Sequence, residues 1–346
     1  MNQSLKKFRN SYQELLISFL WRQWSALGVA GYGSSEDSWI IDPEALLLFT
    51  CSLVRYEARL FDEVLDWLDT NGSLINIQRL RTIIKREQFS GQKVMSAIAA
   101  IMSKRGKLLK WKKLAQQKGE TTAVEDLFFQ KNGQPMKLFG TPDDTFKKYG
   151  FNRGKIRYRG HTQPVSTFQN TGFLFKLRAL LGVNARCEIL IYLLTHESGH
   201  PRHIARETYF YQKTVQDILV EMARSGLVYV RTAGREKHYW LKKEDWLKLL
   251  LHEEQPPRWV NWPPLLNALE QIWLKLKDKT LLGLDPLAQS SELRGLMHKV
   301  RPWIERAGFT KVLSDDKSYL GKDYIAVFIS DVKKLLAELN CKNTNT

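Results

Sequence analysis

The sequence predicts a mainly α, multi-domain protein: a helical N-terminal region, a central unit of three helices closed by a β-hairpin, and a small α+β C-terminal domain. Three observations lead to this reading. The chain has 346 residues, more than one hydrophobic core usually organises, so two or three domains are expected. Apolar residues recur at helical spacing through much of it. After residue 250, prolines at 256, 257, 263 and 264 interrupt any helix and mark a boundary.

Residues 1–103 read as a helical domain. Asp42-Pro43-Glu44 combines a capping residue, a proline at the first helical position and an acid in the first turn, and Leu46, Leu47, Phe49, Leu53 and Val54 follow as an apolar face. A second helix carries Leu60, Phe61, Val64, Leu65 and Leu68 and stops at Asn71-Gly72. A third carries Ile77, Leu80, Ile83 and Ile84. Residues 104–181 read as a basic connecting region: lysine is dense from Lys104 to Lys118, and KKYGFNRGKIRYR runs from Lys147 to Arg159 without an acid. Such a run is either a flexible arm that tracks phosphates or a solvated linker.

Residues 251–264 form a Pro-rich linker, and 265–340 an α+β domain. Helices are expected around Leu266–Leu276 and Leu293–Arg306, then a strand-like Tyr324-Ile325-Ala326-Val327-Phe328-Ile329 and a closing helix.

The central domain, 182–250, carries four signals in order. Cys187, Leu190, Ile191 and Leu194 recur at i, i+3, i+4 and i+7 as one buried stripe. Pro201 to Glu207 is a short second helix, and Tyr209-Phe210 makes a bend. Val215, Ile218, Leu219 and Met222 repeat the stripe on a third helix that ends at Ser225-Gly226, leaving Gln212, Lys213 and Gln216 on its solvent face. Leu227–Arg231 and Lys237–Leu241 are two strands joined by the basic tip Thr232-Ala233-Gly234-Arg235-Glu236. This is the order of a winged helix-turn-helix, whose third helix meets base edges in the major groove.

The stretch QKTVQDILVEMARSGLVYVRTAGREKHYWL resembles the recognition helix and wing of the ArsR-like, and more distantly MarR-like, winged helix-turn-helix regulators. The likeness covers about residues 182–241. It implies that Gln212, Lys213, Thr214 and Gln216, with Tyr211 just before them, face the major groove. Arg231, Arg235 and Lys237 would then meet phosphate or the minor groove. The paired cysteines of the metal-sensing members are missing here. The three N-terminal helices are either a second, degenerate module of this kind or a plain packing domain.

Charge points the same way. Lys plus Arg total 53 against 36 for Asp plus Glu, a net charge of +17 with pI ≈ 9.7, which favours polyanions and nucleic acid first. The expected function is sequence-specific binding of double-stranded DNA by a transcriptional regulator, with a homodimer as one assembly open to it and no small-molecule effector identified. The alternative is a DNA-binding antitoxin or an accessory subunit of a multi-protein system.

His196-Glu197-Ser198-Gly199-His200 matches the zincin pattern H-E-x-x-H and would make a zinc metalloenzyme a third reading. That pattern needs an unbroken helix, which Gly199 weakens and Pro201 disfavours. No phosphate-binding loop, nucleophile elbow or dinucleotide fingerprint accompanies it, so an enzyme is not expected, nor any cofactor or metal. Cys51, Cys187 and Cys341 fit no metal or disulfide spacing. With no apolar run near the roughly 18 residues that span a bilayer and no cleavage site after Leu20, the chain reads as cytoplasmic, without a membrane partner.

Overall fold

The computed structural model describes residues 2–31, 39–104, 109–115, 123–130, 133–138, 140–250, 256–315, 319 and 321–340. Cys341, the lysines at 107 and 118, and linker residues 251–255 lie outside that set. The described chain is mainly helical. Its first part runs through α1 (Asn2–Ala26), α2 (Pro43–Leu53), α3 (Ala58–Asn71), α4 (Ile77–Glu87) and α5 (Gln92–Lys104), with a 3₁₀ turn at Leu109–Lys113. The start of α2 is as its sequence dictates: the Asp42 carboxylate accepts from Ala45 N at 3.0 Å, satisfying a donor that the first helical turn leaves unpaired.

Helix α2 is apolar on nearly every side, and all its residues but Ser52 are buried, so it needs neighbours all round. They come from both ends of the chain. α12 (Trp262–Leu276), α13 (Lys279–Gly283), α14 (Pro286–Arg306) and α15 (Tyr324–Asn340) complete the structure, and α12 lies against α1, α2 and α4. The Tyr12 hydroxyl donates to Leu269 O at 2.9 Å, and Trp24 Nε1 to Thr50 Oγ1 at 2.9 Å. A single apolar core therefore extends from Leu5 to Leu339, joining the two regions that the linker prolines appeared to separate. Pro263 and Pro264 open α12, where a missing N–H leaves no bond unmade.

The expected strand at Tyr324–Ile329 is instead the first part of α15, and the C-terminal region is helical rather than α+β among the described residues. Buried positions fall at Tyr324, Ile325, Phe328, Val332, Leu335, Leu336 and Leu339. That is a helical stripe, and a six-residue window in which all but Ala326 are β-branched or aromatic is too short to display it.

The basic run 147–159 is also not a free arm. It follows β1 (Glu125–Asp126) and α6 (Asp144–Lys148) and contributes β2 (Phe151–Asn152), which pairs in parallel with β1. Phe151 is buried, and the buried Arg153 guanidinium reaches Asp62 Oδ1 at 2.9 Å. It also lies over the rings of Phe61, Phe128 and Phe146, between 5.2 and 5.6 Å from their centroids.

A second core gathers α7 (Phe173–Leu181), α8 (Ala185–Thr195), α9 (Pro201–Thr208), α10 (Gln212–Arg224), the antiparallel strands β3 (Tyr229–Ala233) and β4 (Glu236–Trp240), and α11 (Lys243–Leu250). Its apolar members include Leu177, Leu190, Leu194, Ile204, Val215, Leu219, Val228 and Tyr239. The unit thus begins with α7, ahead of the expected boundary at 182, because Phe173, Leu174 and Leu177 belong to this core.

Candidate nucleic-acid interface

The segment between α8 and α9 contains the H-E-x-x-H residues, and each histidine has a local role there. α8 ends at Thr195, and His196 stacks on Tyr192, with ring centroids 4.0 Å apart and planes 5° off parallel. Burial, opposed by a hydrogen bond to Tyr192 O, holds the His196 pKa below its ordinary value. His200 caps α9, its Nδ1 accepting from Arg202 N at 3.2 Å. Gly199 lies between them and pairs with Tyr239 of β4, so the turn adds a short third member to the hairpin. A Cβ at Gly199 would stand 2.7 Å from both Ile204 Cγ1 and Tyr192 Cε1, which explains why glycine occupies the site. The helix required to present both imidazoles to one ion is absent, and no group of three or more metal-ligating side chains gathers among the described residues.

Tyr209 makes the bend ahead of α10. Its φ is +64°, a left-handed conformation rare for a bulky residue, and its hydroxyl donates to Glu87. α10 then buries Val215 and Leu219, which leaves Tyr211, Gln212, Lys213 and Gln216 exposed and Thr214 half-buried. Tyr211 is the N-cap residue but makes no side-chain capping bond. The first N–H groups of α10 therefore have no side-chain partner from the cap, in a place where the helix dipole favours negative charge. Lys213 pairs with Asp217 at 2.8 Å.

In the hairpin, Arg231, Arg235 and Lys237 are all exposed. They do not share one face. Arg231 lies opposite His238 in the ladder, whereas Lys237 lies opposite Thr232, one position along, and alternate ladder positions project to opposite sides. Arg231 also donates to Ser198 Oγ at 3.3 Å.

Two open grooves meet at the N-terminal end of α10. The larger, a cavity of about 1230 Å³, is lined by Gln212 together with Arg202, His203, His238, Lys299 and Arg306, and by the acids Glu87 and Glu236. The other, about 1020 Å³, is lined by Tyr211 together with Arg81, Lys85, Lys110 and Lys113. Arg86 borders both. It donates to Phe210 O at 3.3 Å and to Arg206 O at 3.4 Å, fixing α4 beside the bend that precedes α10.

A buried ion cluster holds the two cores together beneath this face. Arg178 of α7, fully enclosed, donates to Glu44 at 2.8 and 2.9 Å and to Glu188 of α8 at 2.5 Å. Arg79 of α4 engages Asp42 and Glu44 and donates through Nε to Thr208 O at 3.0 Å. Burial raises the Glu188 pKa, and the charges of Arg178 and Arg79 only partly offset it. Burial works against the charge on Asp42 too, but Arg79 and the Ala45 N–H outweigh it and lower that pKa. The clustered opposite charges account for so many ionised groups being tolerated away from water.

The sequence-predicted residues thus form one exposed end of α10 and a separate, two-faced hairpin. Sequence reasoning missed the cations of α4 and α14 that adjoin α10 in space, and it marked the lysines of the 3₁₀ turn only as part of a basic run, without their place beside α10. No protein-family model matches the chain, and neither a curated protein nor a solved structure matches it. No described helix is long and apolar enough to cross a membrane.

Proposed function

We propose that the chain is a sequence-specific, double-stranded DNA-binding transcriptional regulator, with residues 182–250 working as an ArsR-like winged helix-turn-helix. The observation that carries this reading is the end of α10: polar, exposed, uncapped by its own N-cap side chain, and adjoined by two grooves in which cations outnumber acids. Two further features support it. α8, α9 and α10 with the β3–β4 hairpin follow the element order of such modules, and the net charge of +17 suits a polyanion. In this reading Gln212, Lys213, Thr214 and Gln216 face the major groove, and the hairpin meets phosphate or the minor groove through Arg235 at its tip and through Arg231 and Lys237 from its two faces.

The test is selection of bound duplexes from a random pool by the full chain, followed by titration at several salt concentrations. Enrichment of one motif, with affinity falling by orders of magnitude between roughly 50 and 200 mM salt, is the expected result. A pool that stays random, or an affinity indifferent to salt, would dismiss the proposal.

A further inference from the structure

Gln78, Thr82 and Arg86 recur every four residues along α4, and Ile77, Arg81 and Lys85 recur beside them, so the groove beneath is walled by one continuous helical face. Its opposite wall is the 3₁₀ turn. Lys110 is clamped there, its Nζ donating to Ser73 O at 2.6 Å and Ile75 O at 2.7 Å, and Lys113 lies exposed beside it. Among the described residues no acidic side chain lines this groove, and no ion pair engages Arg81, Lys85 or Lys113. A concave surface of one sign that leaves its cations unneutralised concentrates polyanions.

Its position narrows the choice of polyanion. Tyr211 lines this groove, and the next residue, Gln212, lines the second groove, with Arg86 bordering both. The end of α10 therefore lies where two grooves adjoin, one lined by cations without an acid among the described residues and the other with more cations than acids. A B-DNA major groove is about 12 Å wide and bounded by two phosphate backbones, so a helix end inserted into it has one backbone on each side. Arg86 and Arg79 bind α4 to the carbonyls of Phe210 and Thr208, so this spacing is built into the fold.

We infer that the groove between α4 and the 3₁₀ turn seats the phosphate backbone of one DNA strand flanking the site that α10 reads, with Arg81, Lys85 and Lys113 as its phosphate contacts. The inference rests on the DNA-binding reading above and extends the footprint to residues well outside 182–250.

The test compares wild type with Arg81→Ala/Lys85→Ala/Lys113→Ala in the full chain. All three side chains are exposed and lack ion-pair partners, so melting temperature should hold, and circular dichroism melts check that it does. The probes are the selected site at the centre of a long duplex, the same site trimmed to its central base pairs, and vesicles of anionic phospholipid. On the long duplex the variant should bind about tenfold or more weaker, with the slope of log K against log salt reduced by two to three, near one per lost contact. On the trimmed duplex the two proteins should bind alike. Equal affinity and slope on the long duplex, while Gln216→Ala still impairs recognition, would overturn the inference and leave the α10 reading standing. Wild type that binds neither duplex, or a variant whose only loss is on vesicles, would overturn it as well.

Discussion

Gly199 and Tyr239 exchange both of their backbone hydrogen bonds, each with N···O of 2.9 Å, across the gap between the α8–α9 turn and strand β4. Beside this pairing, Tyr192 of α8 and Ile204 of α9 fill the space a methyl group on Gly199 would occupy. Gly199→Ala should destabilise the protein by about 1–3 kcal/mol, the usual cost of forcing an extra carbon into a packed core. Denaturant melts measure it, and an unchanged midpoint would contradict the described packing.

Arg178 offers a larger effect. Removing one partner from a buried ion group leaves the other charges uncompensated, at a cost of about 3–5 kcal/mol, and Arg178 serves both Glu44 and Glu188. Arg178→Met should lower stability by that amount. Adding Glu188→Gln should recover part of it, because one stranded charge is then gone. Equal stability of Arg178→Met and wild type would show that the cluster contributes nothing net.

Stability should also depend on pH through His196. Burial, first, disfavours its charged form, so its folded pKa lies below the ordinary 6.5. The unfolded chain then takes up a proton before the folded one does. Stability is full above about pH 6.5 and declines as pH falls from there toward the lower folded value. His196→Phe keeps a ring against Tyr192 and removes the titration, so its melting temperature should change less between pH 7.5 and 5.5 than that of wild type. An identical pH response would assign the effect elsewhere.

On DNA, Gln216 and Arg235 should separate recognition from attraction. Gln216 is exposed one turn beyond Gln212, and an amide can bond adenine through two hydrogen bonds. Gln216→Ala should cost on the order of 1–3 kcal/mol on the selected site and little on random duplex. Arg235→Ala, at the hairpin tip, should weaken all duplexes alike and lower the salt slope by about one. If both variants match wild type on both duplexes while melting normally, α10 and the hairpin are not the DNA-reading surface.

The parts legible in the sequence are those with long, one-faced patterns or strong punctuation. Asp42-Pro43 announces α2, Asn71 closes α3, Pro201 opens α9, and the stripe from Val215 to Met222 sets which side of α10 is wet. Other features depend on contacts between residues far apart in the chain. α2 and the first nine residues of α12 are buried on nearly every side, and no periodicity says what covers such segments. The run 147–159 looks solvated until Arg153 meets Asp62, ninety-one residues away. The site follows the same rule. Its α10 residues were readable from their spacing, but the cations of α4 reach Tyr211 only through the tertiary fold.

The single core from Leu5 to Leu339 has a consequence for biosynthesis. Tyr12 waits for Leu269, a partner 257 residues later, so the N-terminal helices leave the ribosome long before the segment that covers them. Among the described residues, the core of the α7–α11 unit is drawn from Phe173 to Leu250, apart from Ile40 upstream and Trp259 just downstream. Domains commonly fold as units during synthesis, and contacts distant in sequence form late. The middle of this chain should therefore acquire its structure first, while α1 to α5 depend on α12 for closure, the reverse of the usual order from N-terminus to C-terminus.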